Sequence, residues 1–261
     1  MAEPLASTGA APPCLHVPAW RAIPGLAHGF FGRRGGVSRG CCAALNLGEG
    51  VGDEPRAVAA NWRRIGEAFP GLSFLRMRQV HGAHAVLVTG SDSPLAAADG
   101  MIASAVGLGL AVLTADCVPI LCVALEARVV MVLHAGWRGT LAGIAAAGLA
   151  EARCQLGVAP GAWRVAMGPA IDGCCYEVEA QVGQQFVDRW GAMPDAWQRA
   201  GSHGQLALRT VNRHILRTHG VPDAQIAEVG PCTSCQSVDY FSHRRSGGRT
   251  GRQVSLIGWI V

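Results

Sequence analysis

Residues 113–140, LTADCVPILCVALEARVVMVLHAGWRGT, constrain the fold more than any other stretch of the chain. They hold two successive apolar runs, each of a length and composition that specify a buried strand. Both runs also carry residues that a plain core strand has no reason to contain. Asp116 and Cys117 lie inside the first, and the second stops at His134 ahead of a Gly-Trp-Arg-Gly-Thr turn. Taken singly, Cys117 reads as a small core residue and His134 as a strand cap. A thiol, a carboxylate and an imidazole together at strand ends read as a site.

At 261 residues, half of them apolar, the chain can bury the core of one large domain. The net charge of +4 is mild and no basic run exceeds two residues, so nothing in the composition demands nucleic acid. All 22 basic residues are arginine. A Schiff-base lysine and a P-loop lysine are therefore excluded, and a phosphate must be held by guanidinium forks or backbone N–H groups. The opening sequence, MAEPLASTGAAPPC, has neither the positive nor the apolar region of a signal peptide. Asp116, Pro119, Glu126 and Arg128 break the longest apolar run below membrane-spanning length. These features predict a cytoplasmic protein with no membrane segment. Its ten cysteines then read as thiols or metal ligands rather than a disulfide framework.

Residues 1–13 are expected to be a disordered tail, followed by a single domain over 14–261. HGFFGRRGGVSRG, residues 28–40, reads as a strand and then a loop rich in Gly and Arg, where Arg33 and Arg34 offer bidentate donors. Helical spacing runs through Val58, Trp62, Ile65 and Phe69 over residues 54–69. A strand pair or bent strand is expected over 75–90, with His81 at its Gly82 break. Thr140 is expected to cap one helix over 140–157; a strand over 163–171, a helix over 177–190 and a loop over 191–204 come after it. A further helix ends at Gly220, and two more strands finish the chain.

Zinc takes cysteine sulfur and histidine nitrogen, and a catalytic zinc commonly has three protein ligands and one open position. His81, Cys117 and His134 supply those atoms at a spacing far too wide for a zinc finger. Strand ends in a folded sheet can converge across such gaps. Cys232-x-x-Cys235 is a competing metal or redox motif, weak without a second CxxC pair or a thioredoxin-like βαβ unit. Adjacent Cys174 and Cys175 diverge if the chain is extended there, and Asp116 by the same argument points away from Cys117.

RQVHG (78–82), ADG (98–100), TADCVPIL (114–121), HAGWRGT (134–140), GPAIDGCCYEV (168–178) and FSHRR…GRQ (241–253) together resemble the laccase-domain, or multicopper polyphenol oxidase, family. HGFFGRRGGVS and NLGEGVGDEP extend the likeness toward the N-terminus. The resemblance implies an α/β fold with mixed β-sheets flanked by helices, in a single domain of the laccase-domain (YfiH-like) type. It implies a metal site of His81, Cys117 and His134, holding Zn2+ with copper as the alternative. Members are described as zinc-dependent purine nucleoside phosphorylases with adenosine deaminase activity. The expected partners are purine nucleosides and inorganic phosphate, in a monomer or homodimer.

On this reading His81, Cys117 and His134 are the catalytic set, Asp116 supports them, and Gln79 hydrogen-bonds substrate. Arg33, Arg138, Arg244 and Arg245 are the candidates to balance phosphate charge. Two other enzyme classes use the same residues. A copper-dependent polyphenol oxidase needs more clustered histidines than nine scattered ones offer. A metal-free hydrolase, including one that edits peptidoglycan precursors, would use Cys117 as nucleophile and His134 as base.

Overall fold

The computed structural model describes residues 11–90 and 97–260. The first ten residues of the expected tail lie outside that range; Pro12 is already buried, and the first strand begins at Cys14. In chain order, β1 (Cys14–Leu15) and β2 (Leu26–Phe31) precede α1 (Pro55–Ala68), which starts on a proline suited to its first turn. Then come β3 (Ser73–Leu75), β4 (Ala85–Leu87), β5 (Gly100–Ala103), β6 (Leu108–Thr114), β7 (Val118–Ala124) and β8 (Val129–Ala135). The helices α2 (Trp137–Ala142) and α3 (Ile144–Leu156) lead to β9 (Trp163–Met167), β10 (Glu177–Glu179) and α4 (Ala180–Trp190). The chain closes with β11 (Trp197–Ala200), β12 (His203–Leu206), α5 (Leu208–Thr218), β13 (Ile226–Glu228) and β14 (Gln253–Trp259).

Two mixed sheets stack face to face. One is five-stranded, in the order β1-β2-β14-β6-β3, and the other six-stranded, in the order β13-β9-β7-β8-β5-β4. Along β7, Leu121 and Val123 enter the layer between the sheets with Leu110, Val112 and Ile257. The alternate residues Val118, Ile120 and Cys122 face α3 and α5 through Ile144, Leu149, Val211 and Ile215. Both faces are covered, which is why β7 and β8 read as unbroken apolar runs. Beyond the five-stranded sheet, Phe31, Val254 and Leu256 pack on Ile65 of α1 and on Leu45 and Leu47. A small third sheet, β10-β12-β11, stands apart. The result is one domain of mixed sheets with helices. Among the described residues no helix is long and apolar enough to cross a membrane.

Three local expectations fail for identifiable reasons. Thr140 does not cap a helix: it is buried inside α2, where its hydroxyl accepts from Asn212 Nδ2 at 3.0 Å. The single helix over 140–157 is instead split at Gly143, whose φ of 92° only glycine adopts readily, and Trp190 packs against that break. Residues 191–204 are not a loop, since β11 pairs with β12 as a hairpin. β11 is exposed at three of its four residues, and of the two buried positions of β12 one is a glycine, so no apolar alternation marks the pair in the sequence. The apolar run around Asp116 is two strands, β6 in one sheet and β7 in the other. Asp116 turns the chain between them with φ 103°, so its expected placement on an extended strand does not hold.

Candidate metal centre

The two sheets are connected at two points that carry chemistry. From β6 the chain crosses through Ala115, Asp116 and Cys117 into β7; from β3 it crosses through the RQVHG loop into β4. Both crossings lie beside the end of β8. Val118 pairs with Ala135, so Cys117 comes opposite Gly136. The neighbouring strand β5 begins at Gly100 opposite Leu133, and the His134 N–H donates to the Asp99 carbonyl at 2.7 Å. Sheet register alone therefore brings Asp99, His134 and Cys117 side by side.

The ligand atoms of His81, Cys117 and His134 lie within 4.8 Å of one another. The two imidazoles meet edge to face, with centroids 4.8 Å apart. A Cβ at position 136 would sit 2.9 Å from Cys117 Sγ and 3.2 Å from His81 Cδ2, so glycine is required there for the set to close. His81 and Asp116 both hold positive φ, at 61° and 103°, which costs about 1–3 kcal/mol for a non-glycine residue. Tertiary hydrogen bonds fasten both. The Asp116 carboxylate accepts from Thr233 Oγ1 and from the Arg244 N–H, each at 2.7 Å.

Asp99, fully buried, organises the other side. One carboxylate oxygen accepts from the His81 N–H at 2.9 Å and pairs with His134 Nδ1 at 2.8 Å; the other accepts from Gly82 N–H at 2.7 Å. Burial pushes its carboxyl up, but the His134 ring and these N–H groups outweigh that and hold it below the ordinary range. With Nδ1 tied to Asp99, His134 turns Nε2 toward Cys117 and His81. This is the carboxylate–histidine pairing that orients metal-ligating imidazoles. Burial likewise pushes the Cys117 thiol up, yet His134 and His81 bring it down to about 6. Reciprocally, burial lowers His134, but the Cys117 sulfur and Asp99 carry it up to about 9. Two imidazoles, one thiolate and a fixed tautomer make a donor set suited to a borderline-soft divalent ion.

The remaining candidates separate. Arg138 is exposed beside Trp137, and Arg244 lies 4.8 Å over the Tyr176 ring, with Nη1 on the Glu177 carbonyl at 2.6 Å. Burial, then Cys117, pushes the Tyr176 phenol up to about 12, so it stays a donor at neutral pH. Arg33 and Arg245 are committed elsewhere. Arg33 donates to the Ala43 and Ser237 carbonyls at 2.6 and 3.2 Å; Arg245 donates to those of Thr233, Ser234 and Tyr240 at 2.6, 3.0 and 2.8 Å. Gln79, expected to bind substrate, is bonded to the backbone of Leu113. Its amide gives to the Leu113 carbonyl at 2.7 Å and takes from the Leu113 N–H at 2.9 Å, as a strand neighbour would. Sequence reasoning assigned no role to Asp99 or Tyr176, although ADG and CCYEV both stood out as motifs.

A family model described as multi-copper polyphenol oxidoreductase laccase matches residues 27–260. The chain belongs to this family. It is 39% identical over 247 residues to a protein of Geobacillus stearothermophilus named purine nucleoside phosphorylase YlmD, with 90% of each chain covered. It is 33% identical to an adenosine deaminase named RL5 from an unknown prokaryotic organism, over 87% of this chain and 92% of that one. The crystal structure of the Geobacillus YlmD superposes with a TM-score of 0.86 at 37% identity, covering 92% of this chain and 93% of that one. That of Bacillus licheniformis YfiH gives 0.88 at 32%, covering 95% and 97%. Relatives with enzyme names thus share both the fold and nearly the full length of this chain.

Proposed function

We propose that the protein is a zinc-dependent purine nucleoside phosphorylase of the cytoplasm that also deaminates adenosine, with His81, Cys117 and His134 as metal ligands. The observation that carries this reading is the convergence of those three donors, with Asp99 fixing the His134 tautomer. The names of the similar proteins supply the substrate class. When bound, zinc supplies Lewis acidity and brings the pKa of a water molecule toward neutrality.

The chain's own residues supply the rest. Phosphorolysis joins inorganic phosphate to ribose C1′ and releases the free base, so cations must balance the phosphate charge. Arg138 and Arg244 flank Tyr176 on the exposed side of the ligand set and serve that role; Arg33 and Arg245 brace the loops behind them. Asp116 positions Cys117 through the Arg244 backbone and Thr233. Deamination replaces the adenosine C6 amino group with oxygen from water and releases ammonia, giving inosine.

Adenosine incubated with the purified protein, with and without phosphate, tests this directly. Adenine and ribose 1-phosphate formed only with phosphate support phosphorolysis, and inosine supports deamination. Neither product from zinc-replete protein refutes the proposal. The low thiol pKa of about 6 favours one competing reading, Cys117 as a nucleophile without metal. His81→Ala decides between them, because only the zinc reading predicts loss of metal and activity together. For a multicopper oxidase the donor supply is thin: the metal-competent groups among the described residues include only His81 and His134 as imidazoles.

A further inference from the structure

A second cluster of soft ligands lies at the same end of the six-stranded sheet. Strands β9 and β13 run parallel, and an isolated bridge between Ala170 and Cys232 continues their pairing beyond the strand ends. Each chain then turns. The first turn, after β9, carries Cys174 and Cys175; the second carries Cys232 and Cys235. Adjacent cysteines on an extended chain would diverge, but Cys175 and Tyr176 both donate their N–H groups to the Asp172 carbonyl, closing a tight turn. That turn brings both sulfurs toward Cys235.

Three of the six sulfur separations are close to the edges of a tetrahedron around a metal ion. Cys174 and Cys175 are 3.8 Å apart, Cys174 and Cys235 3.7 Å, and Cys175 and Cys235 3.4 Å; all four sulfurs lie within 4.8 Å of one another. Four sulfurs about 2.3 Å from a zinc ion have edges of about 3.8 Å. All four thiols are free. The buried Cys232 sulfur also faces the backbone N–H groups of Cys235, Asp172 and Ser234, the arrangement that steadies thiolate charge in a Cys-x-x-Cys turn. Arg245 bonds the Thr233 and Ser234 carbonyls between Cys232 and Cys235, placing a cation near a site that would carry net negative charge, while Arg209, on the Gly230 carbonyl, is ion-paired with Asp172 and Glu228.

We propose that Cys174, Cys175, Cys232 and Cys235 form a second, structural metal site that takes a zinc-class divalent cation in all-sulfur tetrahedral coordination. Ligation exchanges thiol protons for metal–sulfur bonds, with no change of oxidation state. The site clamps two loops that serve the first centre. Tyr176 comes directly after Cys175, and Thr233, which holds Asp116, sits between Cys232 and Cys235.

Zinc content of the full-length protein, purified under reducing conditions with zinc chloride supplied, tests the proposal. Two tightly held ions per wild-type chain are expected, and one in a Cys174→Ser/Cys235→Ser variant, which alters two exposed residues. The His81→Ala variant should keep the ion of the cysteine site. Failure of the first centre to bind metal would thus leave one ion in wild type and none in the double cysteine variant. Cobalt substitution of His81→Ala should show the intense sulfur-to-metal charge transfer of four thiolates. Should the double variant fail to fold, alkylation of wild type gives a second reading: these four cysteines should be protected until a chelator is added. An unchanged zinc count in the folded double variant overturns the proposal, as does a Cys175–Cys235 disulfide with no metal in reduced, zinc-supplied His81→Ala protein.

Discussion

Asp99→Asn removes one formal charge and almost no volume, so it isolates what the carboxylate does. Asp99 uses both oxygens as acceptors, one for His81 N–H and His134 Nδ1, the other for Gly82 N–H at 2.7 Å and Val80 N–H at 3.3 Å. An amide turns one of those acceptors into a donor. If the NH2 faces Gly82, the half-buried Gly82 N–H loses its partner, at a cost of about 1 kcal/mol. If it faces His134, the ring must offer Nδ1 as acceptor, which puts the proton on Nε2 and blocks ligation. Either orientation weakens the ligand set. Loss of such an orienting partner lowers metal affinity about 10–100-fold, or about 1.4–2.7 kcal/mol. Competition against a chromophoric chelator measures the affinity, and circular dichroism checks the fold. A folded Asp99→Asn protein that binds zinc as tightly as wild type would refute the assignment of Asp99 as the residue that sets the His134 tautomer. The depressed Asp99 carboxyl also carries a pH signature. Its stabilisation is present above the ordinary carboxylate pKa and is lost as pH falls through the lower folded value, so Asp99→Asn should show a shallower acid unfolding limb.

Gly136→Ala should lower zinc affinity and cost about 1–3 kcal/mol in thermal unfolding, since the backbone there, at φ −73°, suits alanine and only the contacts with Cys117 and His81 resist it. Arg138→Ala and Arg244→Ala should each reduce kcat/KM for phosphate about 10–100-fold, the worth of a charge-assisted hydrogen bond, whereas Arg33→Ala should act on melting temperature first. Gln79→Ala should cost about 1–3 kcal/mol of stability through its two bonds to Leu113, with KM for nucleoside changed little. In metal-free protein, difference absorbance against Cys117→Ser should show a thiolate appearing at about pH 6 rather than at the ordinary 9.0. The lowered thiol contributes stability that is lost as pH falls from 9.0 to about 6; the raised His134 contributes stability that is lost as pH rises from 6.5 to about 9. The two trends offset, so this pair should leave unfolding free energy nearly flat between those limits. A steep slope that disappears in Cys117→Ser would contradict the thiolate–imidazolium pair.

Much of the site is legible in the chain because it depends on atom type. Only a few residues offer soft sulfur or imidazole nitrogen, and Cys117 and His134 stand out because they sit in apolar runs that the core requires. The helix α1 and the strands β7 and β8 are equally readable, since one-sided burial imposes a helical spacing on α1 and two-sided burial imposes unbroken apolar runs on β7 and β8. The hairpin β11–β12 is not readable, because β11 is largely exposed and β12 has glycine at one of its two buried positions. Asp116 illustrates the boundary: its place beside Cys117 is in the sequence, but its positive φ at a crossing between sheets is not.

The sequence by itself determined the element types of the core, the family and the three candidate donors at His81, Cys117 and His134. Only the tertiary structure decided how the polar side chains are used. Asp99 becomes the hub because sheet register sets it beside His134. Arg33, Arg245 and Gln79 bond backbone carbonyls and N–H groups within their reach, because leaving those groups unsatisfied is costly. The four cysteines at 174, 175, 232 and 235 meet for the same reason the first site does: parallel strands β9 and β13 end together, so the turns at their ends are delivered to one place.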